Sequence, residues 1–94
     1  MTKKECETRI YSAIDTLNRL GHKLTFSFEQ DEWSWGLKAK NAHGQHFGAF
    51  EPMVIFDDYK RKKDAYVSFM RQVEFLLAGT KLTAKGAYHN LCER

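Results

Sequence analysis

Apolar residues recur along the first stretch of the chain at three- and four-residue spacing: Cys6, Ile10, Ala13, Ile14, Leu17 and Leu20. That period puts them on one stripe of an α-helix. Thr2-Lys3-Lys4-Glu5 opens the stretch as a capping box, with Thr2 accepting from the amide three residues on and Glu5 reaching back. Gly21 follows where a helix cap is expected, so the pattern predicts a helix over about 3–20. The period then changes from helical to strand-like. Leu24, Phe26 and Phe28 alternate with Thr25, Ser27 and Glu29, predicting a first strand. After the short polar connection Gln30-Asp31-Glu32, a second alternation begins: Trp33, Trp35, Leu37 and Ala39 on one side, Ser34, Gly36, Lys38 and Lys40 on the other. Asn41-Ala42-His43-Gly44 supplies the residue types that tight turns demand.

A third strand is predicted over about 45–50. Pro52 is expected to end it or to sit at an edge, because proline cannot donate to a ladder. The compact run Met53-Val54-Ile55-Phe56 is compatible with a continuation of that strand or with the lead into a helix. Asp57 and Asp58 are N-cap candidates. Tyr59, Tyr66, Phe69, Met70, Val73, Leu76 and Leu77 then mark a long amphipathic helix to about Ala78, with Gly79 as its stop. Thr83 is a candidate cap for a short helix carrying Ala87, Tyr88 and Leu91. The expectation is an α+β domain over 1–79, followed by a C-terminal tail over 80–94. Its order is α-β-β-β-α, a two-layer sandwich in which a three-stranded antiparallel sheet is covered on one face by two helices. Both tryptophans are expected in the core. The opposite sheet face is expected to meet solvent or a partner through Thr25, Ser27, Ser34, Gly36, Lys38 and Lys40, with His46 and Phe50 candidates for the same side.

Composition sharpens this picture modestly. The chain has 94 residues, 15 basic and 12 acidic side chains, and a net charge of +3. Such a balance permits an acidic or nucleic-acid partner and demands neither. The two cysteines, Cys6 and Cys92, make no disulfide framework, and no signal peptide is read in front of them. Free thiols and a cytoplasmic location are therefore expected. No apolar run approaches the ~20 residues that a membrane-spanning helix needs.

Catalytic chemistry finds little to work with. Cys6 falls on the apolar stripe, where a packed thiol is the default, and Cys92 is close to the chain end. The carboxylate pairs Asp31-Glu32 and Asp57-Asp58 read as turn and cap residues. His43-x-x-His46 is the one metal-like spacing, with His89 or Cys92 as possible further donors, far short of a structural zinc pattern. No catalytic residue, metal or cofactor is expected, and the chain is not expected to be an enzyme.

The run Lys60-Arg61-Lys62-Lys63 stands out more. Cations at a helix start oppose the macrodipole, so helix stability does not account for them. Together with Lys38 and Lys40 they are the candidate partner-binding residues. The predicted order α-β-β-β-α, with Lys62-Lys63-x-Ala65 opening the last helix, resembles a double-stranded RNA-binding domain. In that family such a motif grips phosphates. The chain departs from the family between the first two strands, where the acidic Gln30-Asp31-Glu32 replaces a Gly-Pro-x-His loop. Trp35-x-Leu37-Lys38-Ala39-Lys40-Asn41, with the following 56–66, is similar to a small bacterial repeat domain, which implies a fold and no chemistry. Trp33-Ser34-Trp35-Gly36 in a compact α/β chain is similar to phage-encoded anti-CRISPR inhibitors. That likeness implies a non-catalytic protein that covers a surface of a host protein or nucleoprotein complex, and it transfers no functional residue. Nucleic-acid binding is the alternative function.

Overall fold

The computed structural model describes residues 1–20, 23–46 and 51–84, the last four of these by backbone alone. It is an α+β fold. Helix α1 (Lys3–Arg19) leads to strand β1 (Leu24–Gln30), strand β2 (Ser34–Asn41), strand β3 (Met53–Ile55), a 3-10 turn (Phe56–Asp58) and helix α2 (Lys62–Ala84). The strands form one antiparallel sheet in the order β1-β2-β3.

The expected capping box starts α1: Glu5 N donates to Thr2 Oγ1 at 3.1 Å, and Thr2 N donates to Glu5 Oε1 at 3.2 Å. Cys6, Ile10, Ala13, Ile14 and Leu17 are buried as its stripe requires. The second turn also forms as its sequence demands. Asn41 Oδ1 accepts from the amides of His43 and Gln45, each at 2.9 Å, and Gly44 takes φ 78°, a conformation that costs glycine nothing.

Element boundaries differ from expectation at several points. The described third strand of the ladder is Met53–Ile55, within the run whose sequence fitted either a continuation of the strand or the lead into a helix. Of the span expected over 45–50, His46 bridges Lys40 and Gln45 accepts from Asn41 N; 47–50 lie outside the described residues. Pro52 stands just before β3, where its carbonyl accepts from Leu37 N at 3.0 Å and its missing donor is not needed. Asp57 and Asp58 do not cap α2, which begins at Lys62. Phe56 is held to the sheet by donating its N–H to Trp33 O at 2.8 Å and is buried, so the chain must complete its strand pairing and a 3-10 turn before the helix can start. Finally, α2 runs through Gly79 to Ala84. One glycine costs a helix only about 1 kcal/mol, and Leu76 and Leu77 on the preceding turn pack against the core. The expected tail over 80–94 therefore begins inside α2, and Thr83, the candidate cap of a further short helix, lies within it; 85–94, with Ala87, Tyr88 and Leu91, lie outside the described residues.

Both helices cover one face of the sheet. Lys3 lies over Tyr66, Arg9 pairs with Glu74, and Thr16 and Leu77 line the same interhelical groove, so α1 and α2 run parallel. Their apolar stripes meet the inward residues of the strands: Phe26, Trp35, Leu37, Ala39 and Val54 are all buried. The centre is aromatic. Trp35 stacks on Tyr66 at 4.2 Å and meets Phe28 edge-on at 5.1 Å, while Phe28 stacks on Phe69 at 5.4 Å. Such pairs add about 0.5–1.5 kcal/mol each beyond the area they bury.

Trp33 is the correction that matters for function. It was expected beside Trp35 in the core and is 66% exposed, against 1% for Trp35. The reason is local. Asp31 Oδ1 accepts from the amides of Trp33 at 2.8 Å and Ser34 at 2.7 Å, so 31–34 is a side-chain-closed turn. Strand β2 starts only at Ser34, and Trp33 falls on the rim of the sheet, beyond the cover of the helices.

Candidate partner-binding surface

The six candidate residues divide between two places. Lys38 and Lys40 project from the open face of β2, opposite Ser27 and Thr25 of β1. Lys60, Arg61, Lys62 and Lys63 lie around the start of α2. That start follows Phe56, which pairs with the chain just before β2, whereas Lys40 is near β2's far end. At ~3.3 Å per residue, Lys40 is about 20 Å along the strand from Ser34 and on the other face. The fold therefore does not join the six into one surface.

On the open face Lys38 is not a free cation. Its Nζ lies 3.6 Å from Glu51 Oε2, and Glu51 Oε1 is 3.1 Å from His46 Nδ1. The Glu51 side chain is only 11% exposed. Partial desolvation pushes its pKa up. The hydrogen bond from His46, the charges of His46 and Lys38 and a backbone bond from Ala39 outweigh that, and the net shift is downward. Lys40 is exposed. Gly36 is not crowded: a Cβ would meet only Met53 Cγ, at an ordinary 3.7 Å, so close approach of a partner is not what requires glycine there.

Asp31 and Glu5 also titrate below their ordinary range, chiefly through hydrogen bonds from the Trp33 and Thr2 backbones respectively. Each of these three carboxyls binds its proton more weakly folded than unfolded. Their contribution to stability is therefore complete above the unfolded values, 3.8 for Asp31 and 4.5 for the glutamates, and is lost as pH falls through the lower folded values. Urea denaturation across pH 3–7 should show stability falling on the acid side, with a shallower fall in Glu51→Gln.

At the start of α2, Arg61 Nε is 3.4 Å from Asp64 Oδ2, and Lys62 Nζ lies over the Phe56 ring at 5.7 Å. Lys60 and Lys63 are exposed. Because α1 and α2 are parallel, Lys3 and Lys4 stand at the same end, and Lys3 Nζ lies 5.9 Å from the Tyr66 ring centre. Gln30 Nε2 donates to Glu7 Oε2 at 3.1 Å, which ties the β1–β2 turn to this end as well. This end of the molecule thus also carries Trp33, which was expected in the core. The signal for it was Asp31-x-x-Ser34, an aspartate positioned to close a turn and delay the strand by one residue.

The other chemical candidates stay apart. Cys6 is 1% exposed, and burial pushes its thiol pKa up. Among the described residues no three His, Cys, Asp or Glu side chains gather as metal ligands; His89 and Cys92 lie outside them. No helix among them is long and apolar enough to cross a membrane. Comparison with family models, curated proteins and solved structures finds no match to this chain.

Proposed function

We propose that the chain is a non-catalytic binding module that occupies a surface on a host protein or nucleoprotein complex in the cytoplasm, as a phage or mobile-element inhibitor would. The observation that carries this reading is the end of the molecule where both helices begin. Lys3, Lys4, Lys60, Arg61, Lys62 and Lys63 stand there against the positive ends of two parallel dipoles. Lys3, Arg61 and Lys62 have partners within the fold; Lys4, Lys60 and Lys63 are exposed and supply the charge that a partner outside would meet.

Replacing Lys60, Arg61, Lys62 and Lys63 together with glutamate tests the reading. Removing cations from a helix start relieves about 0.3–1 kcal/mol each. Losing Lys62 from the Phe56 ring costs about 0.5–1 kcal/mol, and crowding Asp57, Asp58 and Asp64 costs more. Stability should stay within about 1 kcal/mol of the parent, while affinity purification from host cells should lose its partner. Retention of the partner would remove the start of α2 from the interface.

A nucleic-acid reading is favoured by one observation: Lys62 and Lys63 open the last helix of an α-β-β-β-α fold, with Ala65 fully buried beneath them. Duplex RNA and DNA titrated at two salt concentrations decide it. A steep loss of affinity with salt supports the reading, and no binding at low salt ends it.

A further inference from the structure

Five large apolar side chains among the described residues are more than half exposed: Met1, Tyr11, Trp33, Met53 and Phe75. Scattered exposure of this kind is ordinary. Helix or strand bonding also fixes the backbones of Tyr11, Met53 and Phe75; Trp33 is set apart by its place in the turn beside Phe56, at the end of the molecule where the basic side chains gather. Its amide donates to Asp31 Oδ1 at 2.8 Å, and its carbonyl accepts from Phe56 N at 2.8 Å. Asp31 is itself fixed by Ser34, whose amide and hydroxyl both donate to it. The backbone beneath the indole is thus pinned from two sides while the ring faces solvent. An aromatic on a fixed backbone has little freedom left to lose on binding, which is the property of an interface anchor.

The neighbourhood supplies a charged rim of both signs. Lys62 reaches over Phe56, the residue paired with Trp33, and Lys3 reaches over Tyr66, whose ring is 5.5 Å from that of Phe56. Glu32 precedes Trp33, and Asp57 and Asp58 follow Phe56; all three are exposed. A polyanion would be attracted by the lysines and repelled by those three carboxylates at the very place where the indole would stack. A protein surface can match both signs at once.

We infer that Trp33 is the anchor of the binding surface and that its partner is a protein with an apolar pocket of indole size, rimmed by charges complementary to Lys3 and Lys62 on one side and Asp57 and Asp58 on the other. This rests on the binding-module reading and names the site and partner class within it.

The test places the photocrosslinker p-benzoylphenylalanine at Glu32, beside the anchor, or at Ser27, on the open sheet face. Both positions are exposed, and neither packs in the core. Each labelled chain is irradiated in host lysate, with and without nuclease, in competition with unlabelled parent or Trp33→Ala. The inference predicts a nuclease-resistant protein adduct from position 32. Unlabelled parent should compete it away, and Trp33→Ala should do so at no less than tenfold higher concentration. An adduct from position 27 alone would move the interface to the sheet and overturn the inference while leaving the binding module intact. A nuclease-sensitive adduct, or equal competition by Trp33→Ala, would also overturn it. No adduct from either position would take down the binding-module reading with it.

Discussion

Trp35→Ala should destabilise the domain by about 3–5 kcal/mol, the range for emptying a large aromatic site in a core. Small domains have only about 5–15 kcal/mol in total, so the variant should be partly unfolded at ambient temperature. Trp35 is 1% exposed and touches a ring on every side: Tyr66 stacked at 4.2 Å, Phe28 at 5.1 Å, Phe69 at 6.1 Å and Phe56 at 6.4 Å. These rings come from β1, the turn before α2, and α2 itself, so no single neighbour can collapse into the space. Trp33→Ala, two residues earlier in the same alternation, should change stability by less than about 0.5 kcal/mol, as surface substitutions do. Urea denaturation of the two variants side by side measures both effects. A similar loss from each would mean that the sheet buries both indoles.

The second large effect is expected at Asn18, a polar residue on α1 with no place in the apolar stripe. Its side-chain amide forms a closed pair with one residue of β1: Phe26 N donates to Asn18 Oδ1 at 2.8 Å, and Asn18 Nδ2 donates to Phe26 O at 3.1 Å. Phe26 faces Ala39 of β2 without using those groups in the ladder, so they point out of the sheet's edge. Asn18 acts there as a one-residue substitute for a missing strand. Asn18→Ala removes both bonds from a partly buried edge and should cost about 1–3 kcal/mol. It also leaves an unpaired strand edge, the usual template for association between chains. Denaturation should show the lost stability, and light scattering should show concentration-dependent association absent from the parent. Unchanged stability would mean that water replaces Asn18 at no cost.

How far the sequence reveals this fold depends on whether local pattern or distant packing decides each element. Helix α1, its capping box, β1 and the Asn41–Gly44 turn are legible because their determinants lie within a few residues of each other. The apolar stripes of two helices also point to a sheet covered on one face. Apart from Trp33, whose misplacement is local, the failures share one cause, a contact from elsewhere in the chain. Phe56 is drawn to Trp33 O, which delays α2 and frees Asp57 and Asp58 from capping. Met53–Ile55 takes the ladder position beside β2 because Val54 can face Trp35. Gly79 fails to stop α2 because the preceding turn is packed into the core. Of the candidate surface, Lys60, Arg61, Lys62 and Lys63 were visible as a run of like charge. Their convergence with Lys3 and Lys4 needs the parallel helices, and Lys38's capture by Glu51 needs the approach of a residue distant in sequence. Trp33 was hidden by an alternation so regular that one residue of turn was enough to misplace it.

The division between the two tryptophans underlies both the core and the proposed site, and intrinsic fluorescence of Trp33→Phe tests it most directly. The substitution should remove the emission that acrylamide quenches readily. What remains should be the blue-shifted, quencher-resistant emission of Trp35, with the unfolding midpoint unchanged. If Trp33→Phe retains strongly quenched, red-shifted emission, Trp35 is open to solvent and the arrangement of the sheet described above is contradicted.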